Sequence, residues 1–431
     1  AIRKVLTAED YALILGCPGA GKTHTIACLV RALVSLGKSV LLTSYTHSAV
    51  DNILLKLKQS QVDFLRLGSV QKIHPDIQPY AIFHAAKHIK TVKELKDFYE
   101  SKLVVATTCL GVNNAIFNQR SFDYCIVDEA SQITQPVCIG SLRHASIFVL
   151  VGDHYQLPPL VQSHKARENG MDISLFKRLS ECHPHAVVHL EYQYRMHKHI
   201  MLLSNTLIYE NRLKCATQEI SEKLIELPNF AKLQTHISQL EDSQKAQFSW
   251  LLEALNHEFP VLFIDTDSLS ATEVRSGHNV YNEIEAALVA TITHGFIKSG
   301  LKCEDIGVIS PYRQQLKAIK QHLNVEGDNV QSTGTQLNVE INTVDKYQGR
   351  DKLCVIVSLV RSNAGGHVGD LLRDWRRVNV AVTRAKRKLI LLGSKKTLNH
   401  NMLFQELLSL LEKNSWIFTL HPSVWRGLLP W

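Results

Sequence analysis

Short, uninterrupted apolar runs alternate with stretches in which apolar residues recur every three to four positions. Residues 12–15, 40–43, 104–107, 124–127 and 148–151 are β-branched or apolar and too short for helices, as expected of strands buried on both faces. Helical periodicity follows the first two runs, over 23–36 and 48–58, which predicts strand-helix-strand units and a parallel sheet. Beyond a polar region at 216–250 the rhythm returns, with strand patterns at 261–264, 307–309, 341–344, 354–359 and 389–392 and helical ones at 283–297 and 314–323. The expected fold class is α/β with two parallel-sheet domains, the first from 1–58 and 101–190, the second from 191–420. Residues 59–100 fit neither series and are read as an inserted subdomain, although 64–67 has a strand pattern and 91–100 that of an exposed charged helix. The tail, 421–431, is apolar without a pattern and stays unassigned.

A chain of 431 residues with 45% apolar content can bury more than one core. It has no run of about 18 or more uncharged apolar residues and no signal-peptide pattern at its start, so a soluble intracellular protein without a membrane partner is expected. Nine scattered cysteines, none in a CxxC pair, argue against a disulfide framework or a cysteine metal site and fit a reducing compartment. The group Cys182, His183, His185 and His189 lies in a polar, loop-like stretch without helical ligand spacing and is not assigned a metal. The net charge of +8 suits a phosphate backbone as partner, but spread over this length it fits a solvated surface equally well.

Chemistry concentrates where the predicted strands end. After 12–15 come Gly16, Cys17, Pro18, Gly19, Ala20, Gly21, Lys22 and Thr23, a GxxxxGKT loop whose backbone N–H groups can wrap phosphate oxygens because small residues allow close approach. Lys22 would neutralise the β and γ phosphates, and Thr23 would offer a hydroxyl to Mg²⁺. The run 124–127 leads into Asp128 and Glu129; alone such a pair is usually surface charge, but behind a phosphate loop it reads as a Mg²⁺ carboxylate and a group that orients or deprotonates the attacking water. Gln156, in a Pro-ended loop after 148–151, is a neutral group able to sense the γ phosphate. Arg195 and Arg384 are candidates for the cation that stabilises the transferring phosphoryl group, and each also reads as a surface or backbone-binding cation.

In order, GCPGAGKT (16–23), TSYTHSAVDN (43–52), DEAS (128–131), GDHYQLPP (152–159), QYRM (193–196), SPYRQQ (310–315), TVDKYQGRDK (343–352) and RRVNVAVTRAK (376–386) resemble the motifs of superfamily 1 helicases, in the branch of the nonsense-mediated-decay and senataxin-type enzymes. The segments at 43–57, 64–68, 125–133, 342–352 and 378–386 look like the helicase half of the eukaryotic DNA replication helicase/nuclease family. The resemblance implies two RecA-like domains, ATP with Mg²⁺ in the cleft between them, and 5′-to-3′ translocation on single-stranded DNA in replication and repair, at flaps and resected ends. RNA as the track and a non-catalytic ATP-dependent clamp remain the alternatives. Carried over by position, Lys22, Thr23, Asp128, Glu129 and Gln156 serve nucleotide and metal, answered by Arg195 and Arg384. Gln348 and Gly349 match the motif coupling ATP to nucleic acid, and Tyr194 the aromatic beside adenine. Thr43, Thr46, His47, Thr107, Thr108, Pro311 and Tyr312 match strand-contacting motifs, although a strand-terminal Thr is equally at home as an N-cap.

Two departures stand out. Tyr155 occupies a place where relatives usually carry Gln, and no Gln lies upstream of Tyr11, where the family places its adenine-reading Gln. The chain is therefore expected to begin inside that motif, with the nuclease half and its cysteine-bound iron-sulfur cluster belonging to the parent protein, N-terminal to this sequence; no nuclease site is assigned. A monomer, a single-strand-binding protein as partner, and a nuclear location with mitochondria as a second compartment are likewise implied by resemblance alone.

Overall fold

In the computed structural model, which describes residues 1–277, 279–324 and 338–427, the chain divides into two compact units, Ala1–Tyr194 and Arg195–Trp431. Every apolar run of the first unit is a strand: β1 (Tyr11–Gly16), β2 (Val40–Ser44), β3 (Leu65–Arg66), β4 (Val104–Thr108), β5 (Phe122–Asp128), β6 (Ala145–Gly152) and β7 (Val187–Leu190). They form one sheet in the order β3-β4-β2-β5-β6-β1-β7, with all pairs parallel. Alternation explains why these strands lack a polar side: Ala12, Ile14, Tyr124 and Ile126 pack with the helices Lys22–Ser35 and His47–Gln59, whereas Leu13, Leu15, Cys125 and Val127 fill the opposite core.

The short strand β3 adds residues of the presumed insertion to the edge of this sheet, and the charged pattern beyond it is the helix Val92–Ser101. That helix starts at a capping box in which Thr91 accepts from Glu94 N and Glu94 accepts from Thr91 N. Strand β7 is not apparent in the sequence because His189 interrupts its apolar run, yet it flanks β1 on the side away from β6.

The second unit repeats the design with a parallel sheet ordered Glu340–Thr343, Ile306–Ser310, Lys352–Ser358, Ala385–Gly393, Val261–Asp265, Ile417–Thr419. One predicted strand ends early: Val344 opens the short helix Val344–Tyr347. Leu262, Ile264, Val308, Ile356, Ile390 and Leu392 build its core, joined by Val424 of the unpatterned tail. Positions 428–431 of the tail lie outside the described residues. Among the described residues no helix is long and apolar enough to cross a membrane.

Candidate nucleotide and nucleic-acid site

The register gathers the chemistry of the first unit at one edge of its sheet. Leu15 of β1 pairs with Gly152 of β6, and Ser44 of β2 lies between Thr108 of β4 and Asp128 of β5, so motifs far apart in the sequence end side by side. This carboxyl edge is where parallel α/β sheets place ligands. After β1 the chain turns through Gly19 (φ 74°) and Gly21 (φ 76°), left-handed positions that favour glycine, and enters the helix Lys22–Ser35. Lys22 folds back over the loop and donates from Nζ to Gly16 O at 2.9 Å. A Cβ on Gly16 would stand 2.4 Å from Lys22 Cγ, so the glycine makes room for this lysine. Thr23 is the second residue of the same helix, and Gly19 O accepts from Tyr194 N at 2.9 Å. That bond ties Tyr194, whose residue is 61% exposed, to the phosphate loop.

Asp128 is buried at the end of β5, and burial holds its carboxyl well above the usual carboxylate range, with the Glu129 charge adding to the rise and Lys22 opposing it. Its Oδ1 is buried without a hydrogen-bond partner. An orphaned carboxylate oxygen beside a lysine, with the Thr23 hydroxyl on the adjoining helix, is a hard-oxygen donor set that fits Mg²⁺. Glu129 sits at φ 52°, a left-handed conformation costly for a side-chain-bearing residue, and its Oε2 accepts from Gln132 Nε2 at 2.7 Å. Gln156 is buried and donates from Nε2 to Asp153 Oδ2 at 2.7 Å. Asp153, which sequence reasoning passed over, also accepts from Tyr155 N, and its own N donates to Ser131 Oγ. Gly152 allows that approach: a Cβ there would meet Ser131 N at 2.9 Å.

The residues matched to strand-contacting motifs divide by environment. Thr43 and Thr107 are packed inside the first unit; Thr43 Oγ1 accepts from Cys109 Sγ, and a Cβ on Gly111 would stand 2.3 Å from Thr107 Oγ1. Thr108 is buried at the strand end, whereas Thr46 is exposed and caps the helix His47–Gln59 by accepting from Ala49 N. His47 Nδ1 lies 3.0 Å from Arg66 Nη2, and Arg66 is paired with Asp51 at 2.8 Å in the interior. Burial and the Arg66 charge lower the His47 pKa, so the ring is neutral at pH 7 and accepts from the guanidinium.

In the second unit, Arg195 pairs with Asp351 at 3.0 Å and donates to Thr383 O at 3.2 Å. Burial pushes the Asp351 carboxyl up, but Arg195, Lys386 and Arg384 together hold it below its ordinary value. Asp351 thus gathers three cations, an arrangement its place in the sequence does not announce. Arg384 is only 2% exposed, and within this unit its Nε donates to Val380 O and its Nη2 to Thr383 Oγ1, each at 2.9 Å. Gln348 follows the helix Val344–Tyr347 with Nε2 buried and unpartnered, and Gly349 adopts φ 78°. Pro311 is buried, and the Tyr312 hydroxyl lies 3.5 Å from Arg361 Nη1. Among the described residues no group of three or more His, Cys, Asp or Glu is placed to hold a metal, the stretch 182–189 included.

A phosphate loop closing the first strand, a buried carboxylate closing another and a second parallel α/β unit define a protein of two RecA-like domains of the P-loop NTPase class. An AAA domain family model matches residues 171–396, and a further AAA domain model matches 1–102 and 84–164. The chain belongs to the AAA domain family and is similar to the DNA replication ATP-dependent helicase/nucleases. Proteins of that name are 52% identical over 422 residues in Xenopus laevis, 50% over 422 in Homo sapiens and 46% over 423 in Saccharomyces cerevisiae. Each alignment covers 97% of this chain, but only 39%, 39% and 27% of the respective relative, so the chain spans well under half of their length.

Proposed function

We propose that this chain is an ATP-hydrolysing motor that moves 5′-to-3′ along single-stranded DNA, as the helicase part of a replication and repair helicase/nuclease acting on flaps and resected ends. The observation that carries the reading is the buried Asp128, one carboxylate oxygen unpartnered, in the field of a Lys22 held over the phosphate loop. Three relatives at 46–52% identity bear names that couple ATP to DNA replication, which favours DNA over RNA as the track.

The residues divide the work by position. The phosphate loop binds the triphosphate, and Lys22, released from Gly16 O, moves its ammonium onto the β and γ phosphates. Thr23 and Asp128 would hold Mg²⁺, which when bound adds positive charge on the phosphate oxygens. Glu129, beside Asp128 but less buried, orients the attacking water and takes its proton. Gln156, its amide nitrogen occupied by Asp153, presents its carbonyl oxygen to that water. The exposed Tyr194 ring stacks on the base. A monomer partnered by a single-strand-binding protein, placed in the nucleus and mitochondria, belongs to the same reading, as do the nuclease and iron-sulfur cluster of the parent protein.

The test is turnover with and without matched oligonucleotides. Lys22→Ala should abolish hydrolysis, and Glu129→Gln should keep ATP binding while slowing turnover by roughly 10²–10⁴-fold, the usual worth of a positioned general base. Unchanged turnover in both would overturn the reading. Stronger stimulation by RNA than by DNA would transfer it to an RNA track, and strand-dependent ATP binding without phosphate release would make the chain a clamp.

A further inference from the structure

The helix His47–Gln59 leaves the carboxyl edge of the first sheet, where Ser44 ends β2 between Thr108 and Asp128, and its first residue is tied to a buried arginine of β3. From this pair we infer that Arg66 is a positioning residue for strand binding, fixing His47 as an uncharged donor that offers Nε2–H to a phosphate oxygen of the single strand. The inference rests on the reading that the chain works on a nucleic-acid strand.

The guanidinium is fixed first. Arg66 closes β3 with its side chain 0% exposed, and two of its three nitrogens are engaged inside the unit: Nε donates to Asp51 Oδ1 at 2.8 Å and Nη1 to Leu67 O at 2.6 Å. Asp51 is itself held, because its Oδ2 accepts from His74 N at 2.9 Å. What remains is Nη2, which lies 3.0 Å from His47 Nδ1. A guanidinium carries five N–H donors and no acceptor, so the ring nitrogen it meets must bring a lone pair. The proton of the neutral imidazole therefore sits on Nε2, since the bond made at one ring nitrogen decides which of the two carries the hydrogen.

The elements around the ring keep it in place and uncharged. A Cβ on Gly68 would stand 3.3 Å from His47 Cε1 and 3.4 Å from Arg66 Nη1, so the loop after β3 closes on the ring at a glycine with φ 147°. Burial lowers the His47 pKa, Arg66 and Lys72 of the short helix Val70–Lys72 lower it further, and Asp51, one turn along its own helix, opposes Arg66 and Lys72. A proton on Nδ1 would set N–H against N–H and one cation against another. Among the described residues His47 Nε2 has no hydrogen-bond partner, and the residue is half-buried, not enclosed, so the one donor that Arg66 leaves on the ring is open to a ligand. Such a donor adds affinity for a phosphate without releasing a counterion.

The first arm of the experiment reads the ring. In the whole chain labelled with ¹⁵N-histidine, the His47 signals, identified by their loss in H47A, should show Nε2 protonated and Nδ1 bare, unchanged between about pH 8 and about pH 6. A proton on Nδ1, or titration near the ordinary value of about 6.5, would overturn the inference. The second arm reads strand affinity by anisotropy of a labelled oligothymidylate. H47A should bind at least about tenfold more weakly, the worth of a hydrogen bond to a charged group, with its log-log salt slope unchanged. A slope shallower by about 0.7, the share of one single-strand phosphate charge contact, would show that His47 binds as a cation and overturn the inference, as would parent-like affinity. D51N/R66M removes the buried pair without stranding a charge; it should weaken binding severalfold at about pH 8, yet weaken H47A no further. Its gap to the parent should narrow toward about pH 6, as the released ring protonates. Additive losses in the triple variant would make Arg66 a structural residue and overturn the inference; if D51N/R66M does not fold, the tautomer and the H47A salt slope decide. A chain that meets these expectations but shows no strand-stimulated turnover would sink the motor and leave the His47 contact standing.

Discussion

Asp153 accepts the Gln156 side-chain amide through Oδ2 at 2.7 Å and the Tyr155 backbone N–H through Oδ1 at 3.1 Å. One buried carboxylate thereby sets both the turn after β6 and the direction of the glutamine. At the departure, Tyr155, the bond to Asp153 is made by the backbone N–H, which every residue but proline supplies.

Asp153→Ala should therefore leave nucleotide affinity within a few-fold of the parent chain but lower turnover by about 100-fold, the scale of an ångström-sized misplacement of a reacting group. Steady-state phosphate release and a nucleotide titration on one preparation check it. Full turnover would mean that Gln156 needs no anchor.

Gly16→Ala places a methyl 2.4 Å from Lys22 Cγ and 2.8 Å from Cδ, near the root of the side chain where a rotamer change cannot relieve the clash cheaply. Lys22 must leave its perch over the loop, and ATP affinity should fall by at least about tenfold, which is about 1.4 kcal/mol. Equilibrium titration with a fluorescent nucleotide reads this directly, and parent-like affinity would refute it.

The Asp51–Arg66 pair lies in the interior, with side-chain exposures of 4% and 0%, and Asp51 also accepts from His74 N. Asp51→Ala strands a buried guanidinium and should cost about 3–5 kcal/mol of stability. Chemical denaturation measures the loss; a variant as stable as the parent would show that Arg66 is satisfied without its partner.

Glu285 is fully buried, and burial pushes its carboxyl up to about 7, partly offset by bonds from Ser358 Oγ and Val360 N to Oε2. A carboxyl raised from 4.5 binds its proton more tightly when folded, so its contribution is complete below about pH 4.5 and lost as pH rises through about 7. Glu285→Gln keeps an acceptor for both donors and cannot ionise, so above pH 7 it should exceed the parent in stability by roughly 3 kcal/mol at most, the gap closing toward pH 4.5. Parallel stability curves for the two proteins across this range would contradict the assignment.

Local spacing carried much of this protein. Strands buried on both faces are written as apolar runs, the helices between them as a 3.6-residue period, and the phosphate loop as glycines at fixed distance from Lys22 and Thr23, because each depends on residues within a dozen positions of one another. Asp128 and Glu129 were legible only together with that loop, as carboxylates at the end of a later strand.

What the tertiary structure alone decided are the meetings of distant residues. The sheet order sets Ser44 against Asp128, buries Thr43 and Thr107, and places β7 beside β1 despite its broken pattern. Packing tied Arg384 to Val380 O and joined Arg361 to Glu273 across 88 positions. Periodicity states which side of an element is apolar but not which element will cover it. Whether a polar side chain lies in the interior, and with which partner, depends on that covering, so the companions of the phosphate loop became visible only once the sheets were assembled.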